Sequence, residues 1–353
     1  MKKLQRRLQR KNKPEPQISR ITNETVAEHR ERVLAGGKKF KYPHQYLRHR
    51  LVINASIIGV MTVIVLVALG WWQLYIVRST SDFLYRVTRI VPVPVASVDG
   101  KQVRYSDYLM RYRSQEFYLR NQGQLGISTE DSNRQLDFYK RKVMDSLEYD
   151  VYAEKRAQEL DVVVSSDEVD KTIEGYRDTA TGKISDKVYD SSTKAGLDYS
   201  PDEIRHLLKQ SLVRQKVAYA VDTRAKQVSE KVSAELVKTK DLQAIADTLK
   251  KQGNNVQFVS PGPVSKNNQD SGRAKTALNL TDGEIAAPIM SVRVDEYGYY
   301  FVQRLSATDK QITYQYLFVP LSTLSKDFEK MKKAQKIQEY ISLQEVGQRT
   351  KSN

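Results

Sequence analysis

Four histidines and no cysteine bound the chemistry open to this 353-residue chain. Without thiols there is no disulfide, no thiolate zinc site and no cysteine nucleophile. The histidines are His29, His44, His49 and His206, and three of them precede residue 50, which leaves little room for a multi-histidine metal site. No G-x-S-x-G nucleophile elbow and no phosphate-cradling glycine loop occurs. Adjacent carboxylates stand at Asp167/Glu168, Asp202/Glu203 and Asp295/Glu296. The first two follow Ser165 and Ser200 at helix-capping spacing and read as acids placed where the helix dipole favours them. Asp295/Glu296 falls beside Gly298 in an expected turn, so paired-carboxylate glycoside hydrolysis has little support. No cofactor and no metal is expected. What the chain holds in abundance is tyrosine, 21 in all. Tyr and Phe offer large amphipathic contact area with few rotors. Tyr105, Tyr108, Tyr112, Phe117 and Tyr118 are therefore candidates for a surface that holds apolar polypeptide segments. Their helical spacing equally fits a stripe packed against the helices at 136–160 and 200–220.

The elements that must position these residues begin with a charge asymmetry. The formal charge is +16, yet residues 1–50 carry 15 Lys+Arg against four acids, leaving only +5 for the other 303 residues. Between Arg50 and Arg78 run 27 uncharged residues, LVINASIIGVMTVIVLVALGWWQLYIV. At about 1.5 Å per residue this helix spans roughly 40 Å, more than a hydrocarbon core of about 30 Å. Trp71, Trp72 and Tyr75 at its far end suit the headgroup region. Residues 51–77 thus read as a signal anchor in the cell membrane, and the basic arm 1–50 sets a cytoplasmic N-terminus with 79–353 outward. The arm's partner is anionic lipid, and no nucleic acid is expected.

Beyond the anchor, 78–94 reads as a linker stiffened by Val91-Pro92-Val93-Pro94. Val95–Val103 alternates around an Asp99-Gly100 turn, predicting a hairpin. A helix follows from Tyr105 to about Asn121, and a longer one carries Leu136, Tyr139, Val143, Leu147 and Val151 to Leu160. After Val162–Val164, Ser165 opens a capped helix; 177–198 reads as a loop; Ser200 caps the next helix. Two more helices carry Val228, Val232 and Leu236, then Leu242, Ile245 and Leu249. Val256–Val259 reads as a strand stopped by Pro261-Gly262-Pro263, Tyr299–Leu305 and Ile312–Val319 as strands, and Leu324–Leu343 as a closing helix. The fold class is mainly α, with a small α+β module and one N-terminal transmembrane helix. The expected domains beyond the linker are a helical module at 95–222, an α+β module at 223–310 and a C-terminal strand and helix at 311–353.

At this point the sequence resembles the SurA/PrsA/PpiD group of membrane-attached extracytoplasmic foldases. Val95-Ala96-x-Val98-Asp99-Gly100-x-x-Val103 is similar to the hairpin that begins the family's chaperone module. Val143–Leu147, Ala157–Val169 and Ser200–Val217 follow in the family's order and spacing. A further stretch, Leu278–Ile289 with Gly298-Tyr299-Tyr300-Phe301-Val302, is similar to the parvulin-type prolyl isomerase module. There Tyr300 stands where the family has a strand histidine, so it is a vestigial catalytic position. The family's opening H-I-L strand is missing before 223, and Tyr314–Val319 resembles it but follows the module. The resemblance implies a membrane-anchored chaperone that binds unfolded or newly exported polypeptides, with a degenerate parvulin-like module lacking isomerase activity. The alternatives are an active prolyl isomerase and a non-enzymatic envelope assembly protein with one fixed partner.

Overall fold

The uncharged run makes one long helix. The computed structural model describes residues 22–41, 43–126, 128–179, 182–268, 270–291 and 297–343, with the backbone alone for 37–41 and 43–49. The basic arm through residue 21 and the Asp295/Glu296 pair lie outside the described residues. The chain divides into two units, Met1–Trp72 and Gln73–Asn353. The first holds α1 (Asn23–Lys41) and α2 (Pro43–Trp71). Arg50–Ile76 is the one stretch among the described residues long and apolar enough to cross a membrane, and none of its most apolar window is buried. Thr62 donates its hydroxyl to the Ile58 carbonyl at 2.8 Å, which removes a polar group from the helix surface.

The second unit departs at once from the expected linker. Its segment 78–94 contains a helix, α3 (Asp82–Ile90), capped by Ser81, whose hydroxyl accepts from Leu84 N–H. Leu84, Tyr85 and Thr88 face inward at helical spacing; the prolines act only after the helix ends. The hairpin forms as expected, with β1 (Pro94–Val98) and β2 (Lys101–Arg104) joined through Asp99 and Gly100, both at positive φ (46° and 85°). That is the mirror-image turn whose twist suits a two-residue loop, and it favours Gly with Asn or Asp.

α4 (Tyr105–Asn121) and α5 (Thr129–Glu159) then pack beside the hairpin. Capping boxes start α6 (Ser166–Arg177) at Ser165 and α8 (Pro201–Val221) at Ser200. Between them the expected loop 177–198 is instead a small hairpin, β3 (Asp178–Thr179) with β4 (Gly182–Lys183), and a helix, α7 (Asp186–Leu197). Ser185 caps α7, and no residue of α7 is buried, so it has no apolar stripe to betray it.

The α+β module is a four-stranded antiparallel sheet in the order β5-β8-β7-β6, made of β5 (Gln257–Ser265), β6 (Ile289–Met290), β7 (Gly298–Ala307) and β8 (Gln311–Pro320). The helices α9 (Thr223–Leu236) and α10 (Leu242–Lys251) cover one face through Val228, Val232, Ile245 and Leu249 against Phe301, Leu317 and Val319. The short α11 (Arg273–Leu278) covers the other, against Tyr300, Val302, Ile312 and Tyr314. Two expectations change here. β5 runs through Pro261-Gly262-Pro263, because it is an edge strand and a register shift between Val259 and Gly262 absorbs the prolines. β8, set apart in sequence with 311–353, lies at the centre of the sheet, so the module extends to Pro320.

The C-terminal helix is shorter than the expected 324–343. α12 (Thr323–Lys333) ends near Gln335, whose φ is +54°, and the chain turns into β9 (Ile337–Glu339). β9 adds to the outer side of β1, giving the order β2-β1-β9. Phe328 of α12 meets Tyr149 and Tyr152 of α5 at ring distances of 5.1 and 5.7 Å, so the helix does join the helical core. Asp222, buried between α8 and α9, accepts from Ala225, Ser322 and Thr323 N–H at 3.0, 2.6 and 3.0 Å. It caps α9 and anchors the start of α12 with one carboxylate.

Under β9 lies a buried acid. Glu148 of α5 is fully buried, neither carboxyl oxygen has a hydrogen-bond partner among the described residues, and the Arg141 guanidinium stands 3.8 Å away. Burial first, and then the Glu339 carboxylate, push its pKa up to about 8. The folded chain keeps this proton from the ordinary carboxylate range to about pH 8, whereas the unfolded chain loses it. Stability is expected to fall as pH rises through that window, by at most about 1.4 kcal/mol per unit for one proton. Glu148→Gln should flatten this slope and raise the urea midpoint at pH 8; an unchanged slope would locate the titration elsewhere.

Candidate functional site

A cleft of about 680 Å³ opens where β2, α5 and α8 meet. Its walls include Val93, Val151, Val162, Val163, Val164 and Val213. The loop after α5 presents the middle valine outward: Val163 is 75 % exposed while Val164 is buried. That loop is held in place by its backbone. Val162 N–H donates to the Ala157 carbonyl at 2.8 Å, and Lys216 of α8 donates to the Val163 carbonyl at 2.9 Å while pairing with Glu168. An exposed apolar side chain on a fixed backbone loses little further freedom when something packs on it.

The rim is charged and only partly paired. Lys101 meets Glu154 at 3.3 Å, and His206 Nε2 lies 3.3 Å from Asp107 without a hydrogen bond among the described residues. Lys101, Gln102 and Arg104 belong to β2, the edge of its sheet, and no strand pairs with its outer side among the described residues. An edge strand beside an apolar floor suits an extended segment, with main-chain bonds along β2 and side chains against the valines. The cleft offers shape and apolar surface rather than a nucleophile or metal ligands: no cluster of His, Asp and Glu fit for a metal ion occurs among the described residues.

Below the rim Gln210 joins the cleft to a buried charge network. Gln210 donates to Glu154 at 3.3 Å and accepts from Arg111 at 2.7 Å. Arg111 and Arg214 both bind the Asp150 carboxylate, Arg214 at 2.7 Å, and Arg111 also donates to Ser146 at 3.1 Å. Asp150 and Arg214 are buried in the helical core.

Residues 45–218 match the family model of the SurA-like N-terminal domain. The match shows similarity to that domain over just under half of the chain. It ends before the four-stranded sheet, and every residue named above as lining the cleft falls inside it. No curated protein and no solved structure matches the chain.

Within the SurA-like region the tyrosines chosen from sequence divide in two. Tyr105, Tyr108 and Tyr112 are buried, stacked edge-on at 5.8 Å and face-on at 6.3 Å, and the Tyr105 hydroxyl donates to the Leu74 carbonyl at 2.7 Å. They build the core of the region and present no surface to a polypeptide. Phe117 and Tyr118 are half-buried and stand outside the cleft lining. His206, read from sequence as a lone histidine beyond the anchor, lines the cleft rim. The valines went unmarked because they come from four separate stretches; the one local signal was the run Val162-Val163-Val164 ahead of a capping box.

Tyr300 is brought together with Tyr316, Phe318 and Arg273. Its ring stacks on Phe318 at 4.4 Å, lies 5.5 Å from Tyr316, and is covered by the Arg273 guanidinium at 5.0 Å. Tyr314 donates its hydroxyl to Asp270, and burial followed by that bond raises its pKa well above the ordinary tyrosine value. Tyr300 and Tyr314 are both 2 % exposed, so this aromatic cluster is packed beneath α11.

Proposed function

We propose that the protein is a membrane-anchored extracytoplasmic chaperone that holds unfolded or newly exported polypeptides in the valine-floored cleft. One observation carries the reading: an apolar floor with an outward valine lies beside an unpaired strand edge, inside the region that matches the SurA-like domain. An incoming segment lies along β2 and places alternate side chains on Val163, Val162 and Val213, while the charged rim stays solvated. Such binding involves no covalent step and no nucleotide, and shallow apolar contact gives fast exchange.

The helix Arg50–Ile76 serves as the anchor, with the basic residues before it on the cytoplasmic side in contact with anionic lipid and the cleft on the outer side. The four-stranded module serves as a scaffold. We assign it no isomerase step, because the Tyr300 position is closed over by α11 and offers no pocket for a proline. The experiment is photo-crosslinking from a cleft position to an unfolded client, using the full chain in lipid nanodiscs. Adducts with several unrelated unfolded clients support the chaperone; a single dominant partner supports the fixed-partner alternative.

A further inference from the structure

Arg111 borders a second cavity of about 310 Å³, in the same unit, lined by side chains of α4, α5 and α8 and by Tyr199 just ahead of α8. Its walls carry three cations, Arg111, Lys142 and Arg214, against one carboxylate, Asp150. Both arginines share that carboxylate, so the floor keeps a net positive charge in a buried setting. Arg214 has a side chain only 8 % exposed, and its Nε, like that of Arg111, has no hydrogen-bond partner among the described residues. Lys142 on the rim is exposed and makes no ion pair among the described residues. The remaining wall is amphipathic: Tyr139, Val143, Tyr199 and Leu207. Buried guanidinium donors in excess of acceptors favour an anion, and their planar forks match a carboxylate. The amphipathic wall suits an apolar residue next to it.

We propose that this cavity binds a carboxylate of a polypeptide, with the neighbouring apolar side chain seated between Tyr139, Val143 and Leu207. The site is separate from the valine cleft and needs only the charge balance and shape described. A chaperone with both would bind apolar stretches in one place and chain ends or acidic residues in the other.

The test uses the full chain in zwitterionic lipid nanodiscs and three fluorescein-labelled forms of one short leucine-ended peptide. These are the free C-terminal acid, its amide, and the amide with a glutamate placed before the leucine. The acid is expected to bind at least about 10-fold more tightly than the plain amide at low salt. Lys142→Glu, an exposed change that leaves the folded core intact, should weaken the acid about 10-fold and leave the amide unaffected. A glutamate amide that binds like the acid extends the site to side-chain carboxylates; one that binds like the plain amide restricts it to chain ends. Val163→Glu should leave the ratio of acid to amide unchanged, which separates this site from the cleft. Equal binding of acid and amide, binding by neither, or indifference to Lys142→Glu overturns the proposal.

Discussion

Asp150→Ala is expected to cost the second unit about 3–5 kcal/mol, read as a large fall in the urea midpoint of the full chain. Asp150 is 2 % exposed and is the carboxylate that both Arg111 and Arg214 bind. Its removal leaves two guanidinium groups between α4, α5 and α8 without their shared counter-charge, and hydration through the adjoining cavity replaces it only in part. Against a typical total of about 5–15 kcal/mol, this loss takes the fold close to its limit. Asp150→Asn keeps the shape and some hydrogen bonding but not the charge, and belongs between the wild type and Asp150→Ala. The control is Arg120→Ala, which breaks an i,i+4 pair with Glu116 whose arginine side chain is 57 % exposed. That change should cost less than about 1 kcal/mol. Equal effects of Asp150→Ala and Arg120→Ala would show that the network does not hold the helices together.

Val163→Glu is expected to have the opposite profile: little loss of stability and a large loss of client binding. The side chain is 75 % exposed, and surface substitutions of this kind usually change stability by less than about 0.5 kcal/mol. Its loop is fixed by main-chain and Lys216 bonds that do not involve the valine side chain. In the bound state, however, a glutamate would face apolar client side chains. Loss of one buried valine contact, worth about 1.5–3 kcal/mol, corresponds to at least about 10-fold weaker binding, and the carboxylate adds a desolvation cost. Fluorescence anisotropy with a labelled, permanently unfolded client measures this, and Val163→Ile should bind as the wild type does. Unchanged affinity for Val163→Glu would remove the loop from the binding surface.

The local part of this fold was legible in the residues. Ser165 and Ser200 mark their helix starts through capping boxes, Asp99-Gly100 marks the hairpin, and the stripe through Leu136, Val143 and Leu147 marks α5. What escaped depends on partners far along the chain. β9 is a three-residue strand after a lysine-rich helix, and it exists because β1 has an outer edge more than 200 residues upstream for it to pair with. β8 becomes central only through simultaneous pairing with β5 and β7. α7 has a cap but no buried face, so hydrophobic periodicity had nothing to report.

The candidate site shows the same division. Helical spacing placed Tyr105, Tyr108 and Tyr112 on one face, and that face turned out to be the core, because large apolar rings at regular spacing bury each other first. The cleft valines sit at Val93, Val151, Val163 and Val213, on different elements, where only the folded chain brings them together. Asp150 showed no sign in sequence of being shared by two arginines 39 and 64 residues away from it.

The most direct test of the account is a photo-reactive residue placed at position 163, compared with one at Val188. Both valines are exposed in the second unit, but Val188 lies on α7 and is not part of the cleft lining. Full-length protein in nanodiscs, irradiated with unfolded clients of unrelated sequence, should yield adducts from position 163, few from 188, and none from either with the same clients folded. Equal adducts from the two positions, or none from 163 with any unfolded client, would contradict the claim that this cleft holds unfolded polypeptide.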